Sequence, residues 1–166
     1  THSIRYRTLF FFSLLALLYH CAGPFAPRPY YSGMQNQISY DAVMMEKMKE
    51  EIRKFYGAPY KWGGDSPQGT DCSGLIATLY KNAANIALPH STQGLFAGGV
   101  KVHRIDLLFG DLVFFSDHGR QATHVGLYIG KGYFLHASST RGVILSKMSD
   151  RYYKRQFIGA RRIEIY

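Results

Sequence analysis

The chain has 166 residues, the length of one domain, and its 46% hydrophobic and 19% charged content excludes a disordered or fibrous protein. Two cysteines exclude a disulfide-stapled miniprotein. The excess of 20 Lys and Arg over 11 Asp and Glu gives +9, which favours anionic partners, yet nothing resembles a recognition helix, an RNA-binding strand motif or a zinc finger, so no nucleic acid is expected.

At the N-terminus, Arg5 and Arg7 precede an apolar stretch, residues 9–19, and His20-Cys21-Ala22-Gly23 follows. A basic region, about 7–15 apolar residues and a small-residue exit describe a secretory signal over residues 1–23. A spanning helix needs about 20 apolar residues, so an integral membrane protein is not expected. A buried core helix is the competing reading; it is the weaker one because Phe10, Phe11, Phe12, Leu14 and Leu15 are apolar all round. Cys21 stands where a bacterial lipoprotein keeps its acylated cysteine, which would supply a membrane anchor. Leu18 fits that pattern and His20 does not, and ordinary cleavage after Gly23 is the alternative. Residues 24–37, with Pro24, Pro27 and Pro29, have the composition of a spacer, and the folded domain is expected over residues 38–166.

Within that domain, Ser39 is expected to cap a helix over residues 40–56 with Met44, Met48, Ile52 and Phe55 as its apolar stripe, ended by Gly57 and Pro59. Residues 60–69 read as turns. A second helix is expected from Asp71 to about Asn85, and a brief third from Ser91 or Thr92 to Phe96. Beyond Val100 the period changes to that of strands, over residues 101–104, 111–115, 124–129, 133–138, 143–146 and 158–165. Helices followed by strands imply one α+β domain, its helical half packed on a mostly antiparallel sheet of five or six strands. The basic residues Arg151, Lys154, Arg155, Arg161 and Arg162 near the C-terminus are expected to form a solvated surface.

Cys72 falls at the start of the second helix, in Asp71-Cys72-Ser73-Gly74. A thiol there meets free backbone N–H groups and the positive end of the helix dipole, which favour thiolate and can receive an oxyanion. Position alone leaves two readings open, a nucleophile or a buried structural cysteine. There is no CxxC and no histidine at ligand spacing to Cys72, so neither a metal nor a cofactor is expected.

A thiol nucleophile needs a base, and the base needs an orienting group. His124 and His136 lie on successive expected strands. With Gly130-Lys131-Gly132 as a three-residue loop, Ile129 meets Tyr133 and His136 becomes a diagonal neighbour of His124 on one polar face. A two-residue loop would send His136 to the opposite face. Either histidine alone is more simply a satisfied structural residue; two on one face of a hairpin, with Cys72 at a helix start, point to catalysis. His90, His103 and His118 are expected in turns or at strand edges, solvated.

These segments together resemble the NlpC/p60 family of cell-wall cysteine peptidases. The matching stretches are Tyr60-Lys61-Trp62-Gly63-Gly64, Thr70-Asp71-Cys72-Ser73-Gly74-Leu75, Gly110-Asp111-Leu112-Val113-Phe114-Phe115, His124-Val125-Gly126-Leu127-Tyr128-Ile129-Gly130 and His136-Ala137-Ser138, in family order. The resemblance implies a papain-like fold, Cys72 as nucleophile, His124 as general base and His136 orienting it. It also implies Tyr60 as a substrate or oxyanion contact, with Asp71 and Ser73 lining the cleft; helix capping is an equal reading for Asp71. The segment Leu88-Pro89-His90-Ser91-Thr92 has His90 where the family usually carries Arg, which leaves the grip on a charged peptide in question. The implied activity is hydrolysis of amide bonds in peptidoglycan stem peptides through a thioester, by an exported monomer of the cell envelope. A lipid acyltransferase or thioesterase using the same residues, a catalytically silent wall-binding relative and a secreted toxin are the rivals.

Overall fold

The structure, a computed structural model, describes residues 30–117 and 119–164. The chain divides into two units, Thr1–Gln37 and Ile38–Tyr166, and the account below is of the second. The expected signal segment, Cys21 and His118 lie outside the described residues.

Helix α1 spans Tyr30–Phe55, beginning well before the expected start, so Ser39 is an interior residue and not a cap. The expected spacer therefore carries helical backbone over residues 30–37. The reason is visible in the sequence: between Tyr30 and Ser39 there is no proline, and a single Gly33 weakens a helix without ending it. The expected stripe is real, with Met48 and Phe55 buried and Met44 and Ile52 packed beside them.

Two short strands, β1 (Asp65–Ser66) and β2 (Gly69–Thr70), pair within the segment expected to be turns. Helix α2 spans Cys72–Ala84 between an Asp71 N-cap and a left-handed Asn85 whose N–H returns to the carbonyls of Tyr80 and Lys81. Its Leu75, Ile76 and Leu79 are fully buried. Helix α3 (Thr92–Ala97) starts on the Ser91 hydroxyl, which accepts from the Gly94 N–H. Then follow β3 (Val100–Val102), a single 3₁₀ turn (Arg104–Asp106), β4 (Leu112–Phe115), β5 (His124–Gly130), β6 (Tyr133–Ser138), β7 (Gly142–Lys147), helix α4 (Arg151–Gln156) and β8 (Phe157–Arg162). Helix α4 is an addition to the expected elements; Arg151-Tyr152-Tyr153-Lys154-Arg155-Gln156 has no apolar stripe to announce it.

The six longer strands form one antiparallel sheet in the order β3-β8-β4-β5-β6-β7. One face takes Leu112, Phe114, Val125, Leu127, Leu135, Ala137 and Val143 into a core with α1 and α2. The opposite face carries Val113, Phe115, Phe134, Met148 and Ala160, with Tyr153 and Phe157 packed against them. Two-sided burial explains why β4 reads as the unbroken apolar run Leu-Val-Phe-Phe.

Part of the C-terminal basic cluster is structural and not a solvated surface. The Arg162 guanidinium donates Nε and Nη2 to the two oxygens of Asp111, each at 2.8 Å, and Asp111 is only 2% exposed. Arg161 donates to the Phe96 carbonyl at 2.9 Å and lies over the Phe96 ring at 4.2 Å. Both arginines tie β8 to its surroundings.

Candidate active site

The β5–β6 hairpin decides where the imidazoles go. Leu127 pairs with Leu135 and Tyr128 with Phe134, the register expected from a three-residue loop. The turn itself is shorter than expected, because Gly130 pairs with Tyr133 and only Lys131 and Gly132 lie between them. A bulge between Tyr128 and Gly130 restores the register. Positive φ angles at Gly130, Lys131 and Gly132 (98°, 51° and 78°) make that compensation possible.

His124 and His136 accordingly share a face, with His124 Nε2 2.9 Å from His136 Nδ1. The face is aromatic, not polar as expected. Phe134 stacks on His136 at 4.9 Å, Tyr153 meets it edge-on at 5.4 Å, and Phe115 lies 6.2 Å from His124. His136 is 1% exposed. Gly126, between His124 and Tyr128 on β5, makes room for this packing: a Cβ there would lie 2.5 Å from Phe134 Cδ2 and 2.8 Å from the Leu135 carbonyl oxygen. Gly126→Ala is expected to lower stability by about 1–3 kcal/mol through overpacking. A thermal melt checks this; an unchanged midpoint would mean that Phe134 yields freely.

Cys72 and both histidines line one open cleft of about 990 Å³, together with Tyr60, Asp71, Ser73, His90 and Thr92. Cys72 is a free thiol at the first position of α2, its Sγ 3.6 Å from the Thr92 hydroxyl. Asp71 takes up the Gly74 N–H, and the first intrahelical bond takes that of Leu75, which leaves the N–H groups of Cys72 and Ser73 at the cleft end of the helix. Tyr60 is held by its neighbours in the chain: Lys61 N–H donates to the Thr70 carbonyl at 3.0 Å and Thr70 N–H to that of Pro59 at 3.1 Å.

Asp71 does more than line the cleft. Its Oδ1 accepts from Gly74 N–H at 2.7 Å and the Ser73 hydroxyl at 2.9 Å, and its Oδ2 accepts from Gly63 N–H at 2.8 Å. It therefore caps α2 and pins the loop that carries Tyr60 and Trp62. Capping was one of its two expected roles; the Ser73 hydroxyl is occupied in the same network. His90 lies in an exposed bend, as expected, and there brings Nε2 to 3.3 Å from Asp71 Oδ1 within the cleft lining.

Burial governs the charges. It pushes the Cys72 thiol up, reinforced by the Asp71 carboxylate and opposed by the Thr92 hydroxyl and the N–H groups of Val125 and Ser73. It pushes His124 down to about 4, against a weak pull from Asp117. His136 is pushed down to about 3 by burial, then by His124 and Arg141. The helix-start position favours thiolate, as the sequence suggested, but desolvation outweighs it and pushes the thiol and both imidazoles toward their uncharged forms. Asp71 stays below the usual carboxylate range because its hydrogen bonds from Gly74, Gly63 and Ser73, together with His90, outweigh burial. Among the described residues no cluster of three His, Cys, Asp or Glu is placed to hold a metal ion. Sequence reasoning also missed Ser146 and Tyr153, which touch the far side of His136 at 2.9 and 3.2 Å.

A profile of the NlpC/P60 family matches residues 57–162. The chain is 32% identical to the probable endopeptidase NlpC of Escherichia coli K12 over 89% of its own length and 93% of that protein. It is 37% identical to a murein DD-endopeptidase and LD-carboxypeptidase, MepS, of the same strain, covering 70% of this chain and 62% of the relative. Among solved structures, an NlpC/P60 family protein from Bacillus cereus superposes with a TM-score of 0.67 at 33% identity, over 71% of this chain and 39% of the other. A match across the Cys72 helix, the histidine hairpin and every strand between them is more than a shared fold, and the chain belongs to the NlpC/P60 family.

Proposed function

We propose that the chain is a cysteine peptidase that hydrolyses amide bonds in peptidoglycan stem peptides, with Cys72 as nucleophile, His124 as general base and His136 as the group that orients it. The observation that carries this reading is the 2.9 Å contact between the imidazoles in the same cleft as the Cys72 thiol. In the reaction, His124 takes the Cys72 proton as sulfur attacks the carbonyl, and the N–H groups at the start of α2 receive the oxyanion. His124 then protonates the leaving amine, and water releases the thioester. An uncharged resting pair suits this order, since proton and nucleophile move together as substrate arrives.

The relatives named as murein DD-endopeptidases and the NlpC endopeptidase support murein as the substrate. The reaction then lies outside the cytoplasm, in keeping with the leader expected over residues 1–23 and with Cys21 as a candidate acylated anchor. Among the described residues no helix is long and apolar enough to cross a membrane. The acyltransferase reading needs an enclosed apolar channel, whereas this cleft is open and mixes Ser91, Thr92, Ser139 and Thr140 with the aromatic rings of Tyr60 and Trp62. A silent wall-binding protein has no use for a free thiol beside two paired imidazoles.

Incubating the protein with peptidoglycan and identifying new termini by mass spectrometry tests the proposal. New amino and carboxyl termini within stem peptides are expected, and the D,D bond is the first to look for. Intact stems would sink it.

Trp62, the only tryptophan, is 86% exposed at the rim of the cleft. Titrating an inactive variant with muropeptide is expected to shift Trp62 emission to shorter wavelength as the ring loses water. A constant spectrum at saturation would mean that the peptide bypasses this rim.

A further inference from the structure

Behind His136 stand two hydroxyl groups. Its Nε2 lies 2.9 Å from Ser146 Oγ on β7 and 3.2 Å from Tyr153 Oη on α4. His136 is 1% exposed and Ser146 6%, so the contact with Ser146 is buried, while Tyr153 reaches the same nitrogen from the cleft wall. A ring nitrogen without hydrogen offers one lone pair and accepts one hydrogen, whereas a ring N–H can be shared between two oxygen acceptors. Two oxygens converging on one nitrogen both bond to it only when that nitrogen carries the hydrogen. With Nε2 accepting from one hydroxyl, the other oxygen would face a ring nitrogen already occupied, and on the buried Ser146 side a lost hydrogen bond is costly.

We infer that Ser146 and Tyr153 are positioning residues: by accepting one shared N–H from His136 they fix the tautomers of both imidazoles and so decide which nitrogen of His124 is the base. The consequence runs through the pair. His136 with its hydrogen on Nε2 presents a bare Nδ1 to His124. His124 must then donate from Nε2, which leaves its Nδ1 bare. The Cys72 S–H proton moves to that Nδ1 while its electron pair stays on sulfur and attacks. His124 becomes doubly protonated, His136 is unchanged, and the same proton later leaves Nδ1 for the departing amine. In the opposite arrangement a hydroxyl donates to His136 Nε2, His136 donates from Nδ1, and His124 holds its hydrogen on Nδ1. It then has no site to take one from the thiol. Aromatic packing holds the geometry: Tyr153 meets Phe134 edge-on at 4.8 Å and Phe115 at 5.2 Å.

This inference rests on the reading of His124 as the base, so its test uses a measurement that needs no turnover. Long-range ¹H–¹⁵N spectra of histidine-labelled protein report the tautomer of each ring, assigned with His124→Gln and His136→Gln. In the wild type both rings are expected to carry hydrogen on Nε2. In the double variant Ser146→Ala, Tyr153→Phe, His136 is expected to move to the Nδ1–H form or a mixture. Its kcat should fall about 10- to 100-fold, with KM within about twofold. Ser146→Thr keeps the oxygen and should keep both tautomer and rate. A wild-type spectrum with His136 hydrogen on Nδ1, or a double variant retaining wild-type tautomers and rate, would overturn the inference. Should the double variant fail to fold, the wild-type spectrum alone decides. Tautomers that shift as expected in a protein that leaves peptidoglycan intact would remove the functional reading and leave this one standing.

Discussion

Cys72→Ala is expected to abolish peptidoglycan hydrolysis, with a loss in kcat of at least about 1000-fold, the scale on which removal of a catalytic nucleophile acts. No neighbour is placed to take over. The Ser73 hydroxyl is turned to Asp71 Oδ1 at 2.9 Å, and the Thr92 hydroxyl approaches the sulfur itself at 3.6 Å. Neither has the means to be deprotonated that the thiol has. The fold should survive, because the cap on Asp71 and the packing of Leu75, Ile76 and Leu79 do not involve the sulfur. Losing one sulfur atom from a half-buried position is expected to cost about 1 kcal/mol. The check is the fragment profile of wild type and variant side by side, with melting curves of both. Identical profiles would mean that the cleft is not where chemistry occurs. An inactive variant whose melt falls by no more than a few degrees would separate catalysis from folding, and it is also the protein in which Trp62 emission can report binding.

Much of this was readable in the sequence, for identifiable reasons. The hairpin register followed from matching the apolar residues Val125 and Leu127 with Leu135 and Ala137, since a one-residue slip would have put the second pair on the wrong face. The start of α2 followed from Asp71, whose carboxylate caps it. What was not readable depends on distant contacts. The character of the histidine face is set by Phe115 from β4 and Tyr153 from α4, neither of which is near the histidines in sequence. Helix α4 has no periodicity of its own and is placed by Tyr153 reaching into the aromatic cluster. Asp71 joins His90 only because α3 and the loop before it fold back over the helix start. The protonation of Cys72 was the furthest from reach, because a helix dipole can be read from position and burial cannot.

That same burial predicts acid sensitivity. The ordinary value for histidine is 6.5, and in the folded chain His124 sits at about 4 and His136 at about 3. The sign follows from proton counting: between those values the unfolded chain holds protons that the folded site refuses. Stability is therefore full above about pH 6.5 and is lost as pH falls from there toward pH 4. One ring so displaced is worth on the order of 3 kcal/mol, and the two are coupled, so their contributions do not simply add. Asp71 acts in the same direction but only near and below its ordinary value of 3.8, which keeps the window from pH 6.5 to 4.5 for the imidazoles. Urea midpoints measured across that window should fall steadily in the wild type. In His136→Gln the slope should be shallower, because one refused proton is gone. A wild-type midpoint that holds constant from pH 7 to 5 would mean that the rings take up protons while folded. The aromatic wall of Phe115, Phe134 and Tyr153 would then admit water, and an uncharged resting pair would have to give way to an ionised one.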